Sequence, residues 1–290
     1  MTTMLFLLSV FSPAFIALYA FFIGGQKSWY KYVSIMANIL TAIFYVYLMT
    51  RIFHAADAGS GDPTTTFVWS HTLSYSFQIL VDILSIIFLS AAATIFCITK
   101  IFLHDAIEKE KYLAILFLET LIYLILSSKT LLISIFVFGA SSMPMAFLIG
   151  RDESGERIFA VKQLLITTMI SSFFLLLSSI AFQSSVSADV SQWFTFSFGA
   201  YEFSARSIFF IFTFIALCMR LPLFPFHAPF ATLFRLRKLD SYVGIFMLSA
   251  TTIFLFFRFV TEIFPDQLRI FSPWLTAWVL GSIFWSCISL

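Results

Sequence analysis

The sequence predicts an all-α polytopic membrane protein of about nine transmembrane helices, the seventh of them broken. Three observations lead there. Of the 290 residues, 60% are hydrophobic and 11% charged, whereas a soluble domain carries roughly 25% charged residues. Apolar runs close to the ~20 residues that a bilayer core requires recur along the whole chain. The two-residue alternation of a membrane β-barrel is absent. A net charge of +2, dispersed along the chain, excludes a nucleic-acid footprint.

Taken in order, the first apolar run is Met4–Ile23. It follows M-T-T without the basic segment of a secretory signal and reads as a retained span. Val33–Phe53 is the second span. The third, Leu73–Thr99, comes after a connector, Ala55–Ser70, that holds Gly59, Gly61 and Pro63. Tyr112–Leu126, Leu131–Ile149 and Ile158–Phe182 follow, joined by short connectors that make sequential neighbours antiparallel. The mixed-sign linker Ile101–Lys111 reads as a solvated or interfacial turn. A longer connector rich in Ser and aromatics, Gln183–Arg206, leads to the broken span Ser207–Phe226. Tyr242–Thr261 is the eighth span. Phe271–Leu290 is the ninth, about 30 Å long at 1.5 Å per residue, enough to span.

Loop charges orient the bundle, because cytoplasmic loops carry the excess of Lys and Arg. One side receives ten basic residues (Lys27, Lys31, Lys100, Lys109, Lys111, Arg151, Arg157, Arg235, Arg237 and Lys238) and the other five (Arg51, Lys129, Arg206, Arg258 and Arg269). The N-terminus is therefore expected on the outer side, periplasm or intermembrane space, and the C-terminus on the inner side. Cys97, Cys218 and Cys287 lie in apolar runs without a C-x-x-C pair and read as packing residues. Forty phenylalanines fit a thymine-rich genome such as an organellar one.

The stretch Ala216–Phe230, A-L-C-M-R-L-P-L-F-P-F-H-A-P-F, concentrates the chemistry. Pro222, Pro225 and Pro229 each remove a backbone donor, and Arg220 is costly in hydrocarbon. A broken helix at membrane depth is tolerated only where it is buried in protein or lines a wet cavity, and such breaks mark ion pathways. Asp82, Glu119 and Lys162 are the other ionisable residues inside spans, and Arg258 lies near the end of the eighth. Glu119 and Lys162 suit a protonatable relay. Arg220 holds or gates a charge but donates poorly. Plainer roles stand beside these. Asp82 sits where it would cap or pair, Lys162 where it would snorkel, and Glu119 would serve as a neutral hydrogen-bonded acid. His227 suits a relay or the carbonyls that the break frees.

R-L-P-L-F-P-F-H (Arg220–His227) resembles the K-x-P-x-x-P-x-H break of antiporter-like subunits of proton-pumping NADH:quinone oxidoreductase, the M type (mitochondrial subunit 4) above all. M-P-M-A-F-L-I-G (Met143–Gly150) resembles that family's P-M-Y-F-L-I-G, and Leu116–Glu119 its L-L-L-E. Ile158–Lys162 resembles its A-x-x-K, and Leu80–Ser85 its G-V-D-G-I-S. The likeness runs from Leu80 to Leu290 and covers the N-terminal half of the family's pattern. It implies three N-terminal helices over 1–99 and an antiporter-like five-helix repeat over 100–262, with its break near 220–229. The ninth helix, 263–290, then opens a truncated second repeat. Glu119, Lys162, Arg220 and His227 would form the proton path or charge network, with Asp82 and Arg258 as structural charges.

The departures from the pattern bear on function. Gly139 stands where the family's fifth-helix glutamate belongs, Arg220 replaces the seventh-helix lysine, and the eighth-helix lysine falls near Ala250. Arg220 then needs another carboxylate, for which Glu119 is the candidate. The resemblance implies a membrane-arm subunit with a degenerate proton path, mainly structural or a half-channel. Two alternatives are a working translocating subunit whose second half is a separate polypeptide, and a subunit of a multisubunit cation/proton antiporter. The chain would bind no cofactor. FMN, iron–sulfur clusters and quinone would sit on other subunits of the complex, which are its expected partners. The mitochondrial inner membrane is the favoured location, the bacterial plasma membrane the alternative.

Overall fold

The structure, a computed structural model, describes residues 2–22, 29–57, 65–70, 77–103, 108–150, 155–186, 196–198, 201–203, 205–221, 223–226, 230 and 239–289. The elements are α1 (Thr2–Phe22), α2 (Trp29–Asp57), α3 (Ile83–Leu103), α4 (Lys109–Ser127), α5 (Leu131–Ala140), α6 (Ser142–Gly150), α7 (Gly155–Val186), α8 (Ala205–Cys218), α9 (Leu239–Leu255) and α10 (Pro265–Ser289). Two short antiparallel pairs interrupt them: β1 (Thr65–Ser70) with β2 (Phe77–Val81), and β3 (Phe196–Phe198) with β4 (Tyr201–Phe203).

Helices spanning Met4–Phe22, Trp29–Ile52, Ile83–Leu103, Leu131–Gly150, Ile158–Ser179 and Tyr242–Val260 are long and apolar enough to cross a membrane. Large apolar side chains such as Met4, Phe15, Leu40, Phe159 and Phe173 point outward and are exposed. A soluble protein hides most residues of this kind. The protein is an all-α polytopic integral membrane protein, as expected.

Several elements depart from the sequence reading, three of them in ways that matter for packing. The third span begins at Ile83, not Leu73, because Phe77–Val81 pairs as a strand. Asp82 is the first residue able to accept an orphan helix amide, and its carboxylate takes the Ser85 N–H at 2.8 Å. The fifth span is jointed at Ser141. There the Ser141 and Ser142 hydroxyls each donate at 2.6 Å to carbonyls of Phe138 and Gly139, a bond pattern that bends helices. Finally, α9 runs into a π-helical turn, Phe256–Val260, and one further turn, Thr261–Ile263.

The chain forms two compact units, Met1–Glu153 with Arg237–Thr251, and Ser154–Leu236 with Thr252–Leu290. In the first, α4 is the central helix, with 14 of its 19 residues buried. α1, α3, α5 and α6 pack around it, and α2 packs on α1 and α3. Gly244 of α9 lies so close to α6 that a Cβ there would meet Met145 Sδ at 2.2 Å. In the second unit α7 packs along α8. A cluster of aromatic rings joins Phe210 and Phe214 of α8 to Phe264, Phe271 and Trp278.

Candidate functional site

In the first unit, the buried face of α2 is polar. Lys31, Ser34, Asn38, Thr41 and Tyr45 recur at three- and four-residue intervals, and all are buried. That spacing puts them on one stripe of the helix. α4 answers with Tyr112, Glu119, Tyr123 and Ser127, also buried. α3 contributes Lys100, carried on the same stripe as Ile86, Leu89, Ala93, Phe96 and Leu103.

These side chains meet in a connected set. The Ser34 and Tyr112 hydroxyls are hydrogen-bonded to each other, and their oxygens lie 2.8 and 3.3 Å from the Lys31 carbonyl. The Lys31 ammonium lies 5.6 Å from the centre of the Tyr112 ring. Deeper in, Lys100 Nζ contacts Glu119 Oε2 at 2.6 Å, with both side chains fully buried. Tyr123 Oη donates to the other carboxylate oxygen at 2.9 Å, and Thr41 of α2 donates to the Asn38 carbonyl at 2.9 Å. Beyond it the Tyr45 ring stands edge-on to Tyr123, centroids 6.2 Å apart, and Ser9 of α1 donates to Tyr45 Oη at 3.1 Å. Removing two charges from water costs several kcal/mol per ion. Here the ion–ion contact and the tyrosine hydroxyl offset that cost.

The second unit holds the broken helix. The amide of Met219 still bonds four residues back, to Ile215 at 3.0 Å. The next two, Arg220 and Leu221, bond only three back, to Leu217 and Cys218 at 3.1 Å. That leaves the Ala216 carbonyl, the partner of Arg220 in a continuous helix, without its helical donor. Ser171 of α7 supplies one, donating at 2.7 Å. Beyond the break, the Trp278 indole N–H donates to the Phe224 carbonyl at 2.6 Å. The opened backbone is thus satisfied by neighbouring helices, as hydrocarbon demands. Ser178 and Thr213 add a further hydrogen bond between α7 and α8.

The sequence-derived residues fall as follows. Glu119 is engaged by Lys100, the residue missed by the sequence reading, which counted it among the loop charges. Arg220 is buried in the turn that ends α8. Asp82 caps α3. Arg258 is buried within the π-helical turn, with its guanidinium 6.0 Å from the Phe254 ring centre. Lys162 is exposed on α7, away from the stripe of Ala160, Leu164, Thr168 and Ser171 that faces inward. Pro225 follows a cis peptide bond after Phe224. Pro222, His227 and Pro229 lie outside the described residues. Gly139, which the resemblance sets against the family's carboxylate, sits beside the joint at Ser141. Among the described residues, no three His, Cys, Asp or Glu side chains are grouped to hold a metal ion.

Comparison with known proteins agrees with this architecture. Subunit M of the NADH-quinone oxidoreductase of Rickettsia conorii is 29% identical over 234 residues, 76% of this chain and 46% of that subunit. The same subunit of Rickettsia bellii is 28% identical over 234 residues with the same coverage. The chain therefore spans about half the length of the curated relatives it matches. Among solved structures, a chain of respiratory complex I from Thermus thermophilus with bound NADH superposes with a TM-score of 0.70 at 17% identity. That match covers 93% of this chain and 56% of the other. The expected resemblance to the M-type subunit holds. Residues 127–290, more than half of the chain, match the family described as NADH:quinone oxidoreductase/Mrp antiporter, TM, and the chain belongs to that family.

Proposed function

We propose that the chain is an antiporter-like membrane-arm subunit of a respiratory NADH:quinone oxidoreductase with a degenerate proton path, acting mainly as a scaffold or a half-channel. The observation that carries the reading is the broken helix itself. Its backbone is held open by Ser171 and Trp278, while Arg220 occupies the position of a titratable lysine and Gly139 that of its carboxylate. An arginine stays charged and gives up no proton. The layout follows the family pattern: three helices over 1–99, one repeat over 100–262 and the start of a second over 263–290.

Glu119, Lys162, Arg220 and His227 are remnants of the family's path on this reading, and Pro222, Pro225 and Pro229 mark the break. The partners are the other membrane-arm subunits, with a chain supplying the second repeat as a further neighbour. Flavin, iron–sulfur clusters and quinone belong to the rest of the complex. The site of action is the mitochondrial inner membrane, or a bacterial plasma membrane, with the N-terminus outside and the C-terminus inside.

A second reading, a subunit of a cation/proton antiporter, has support in the family description, which joins both kinds of protein. Affinity isolation from mildly solubilised membranes separates the two. The proposed function requires flavin- and iron–sulfur-containing subunits in the isolate. Recovery with antiporter subunits and no redox arm would replace it with the second reading.

A further inference from the structure

The polar stripe of α2 runs from Lys31 to Tyr45, about 21 Å along the helix at 1.5 Å per residue. That is roughly two thirds of a bilayer core. It joins three groups: Lys31–Ser34–Tyr112 at one end, Tyr123–Glu119–Lys100 in the middle, and Tyr45–Ser9 beyond. On the Lys31 side the open interval lies between the first group and the second. Asn38 occupies it, one helical turn from Ser34 and one from Thr41. Its carboxamide is buried, with no hydrogen-bond partner for Nδ2 or Oδ1 among the described residues. Buried carboxamides are almost always hydrogen-bonded, through water where protein groups do not reach.

We propose that this column is a water-bridged proton inlet. It leads from the Lys31 end of α2 to the Lys100–Glu119 pair, and Asn38 holds the water that closes the gap. The inlet deepens the half-channel reading and rests on it. It also places proton loading on α2, α3 and α4, away from the break at Arg220. Loading adds one proton to the Glu119 carboxylate. An O–H bond forms on Glu119, the donor returns to water, and the pair passes from neutral to carrying the charge of Lys100.

The titratable groups facing Glu119 are Lys100 and Cys97 from α3, Tyr45 from α2, and Tyr112 and Tyr123 from its own helix. Of the other packed helices, α5 and α6 hold no titratable side chain, α1 holds Tyr19, and α9, whose Gly244 lies near Leu118 of α4, holds Asp240 and Tyr242 at its start.

The test is infrared difference spectroscopy of the full chain in lipid after a pH jump, with the Glu119 carboxyl signal assigned by its shift in Glu119→Asp. The Glu119 signal is expected to follow the jump. Asn38→Leu, which closes the gap with methyl groups, slows it about tenfold, as a barrier higher by about 1.4 kcal/mol does. Asn38→Ser restores the rate. If Asn38→Leu does not accumulate, Ser34→Ala combined with Tyr112→Phe must slow the signal equally. A Glu119 signal that ignores pH, or a rate untouched by these variants, overturns the proposal. The measurement needs no redox arm. Failure to co-purify with one would overturn the proposed function while leaving the inlet standing, and an unchanged rate in a chain that does co-purify would overturn the inlet alone.

Discussion

At the scale of residues, the decisive contact is Lys100 with Glu119, 2.6 Å apart and fully buried. Breaking a buried pair from one side strands the other charge and costs about 3–5 kcal/mol, whereas replacing both partners with apolar residues is often neutral. Lys100→Leu and Glu119→Leu are each expected to destabilise the chain strongly, and the double variant to recover most of the loss. Thermal unfolding in detergent measures this. Two single losses that simply add in the double variant would show that the charges do not depend on each other. Glu119 was legible in the sequence, because a carboxylate inside an apolar run stands out. Lys100 was not, because it falls in the last turn of α3, where snorkelling to the interface is the ordinary behaviour of lysine.

At the scale of elements, α4 and the α7–α8 pair carry the testable content. α4 has Lys109, Glu110, Lys111 and Glu119 and falls outside the apolar spans, yet it is 19 residues long, about 28 Å at 1.5 Å per residue. Its charges lie at one end or inside the protein, so it is expected to cross the membrane. Glu110→Cys should react with a membrane-impermeant thiol reagent from the inner side and Lys129→Cys from the outer side. Labelling of both from one side would make α4 re-entrant.

The broken segment depends on α7 through one hydroxyl. Ser171→Ala removes the donor to the Ala216 carbonyl and is expected to cost about 1 kcal/mol, the usual size of a hydrogen bond between membrane helices. The same thermal unfolding assay reads the loss. A variant as stable as the parent would mean that the carbonyl finds another donor. The break was legible from its prolines. Its repair by Ser171 and Trp278 was not, since both residues are distant in sequence and neither belongs to a motif.

At the scale of the whole molecule, the proposed function makes a prediction about coupling. Lys162 is exposed on α7 and stands outside both the buried pair and the break. In the assembled complex, Lys162→Ala is expected to leave assembly and proton pumping near parent levels. Pumping that collapses while assembly is normal would refute the scaffold reading and make the path through α7 a working one.

Composition and the recurrence of apolar runs by themselves determined that the chain is a helical membrane protein, where most of its spans lie, and that its seventh helix breaks. Those properties follow from hydrocarbon length and from the backbone chemistry of proline, both local to the sequence. Tertiary structure alone decided which buried charges meet, because the partner of a side chain depends on how each helix is rotated and which faces pack. That rotation brought Lys100 of α3 to Glu119. It also aligned the stripe of α2 with α4 to form the column in which Asn38 sits.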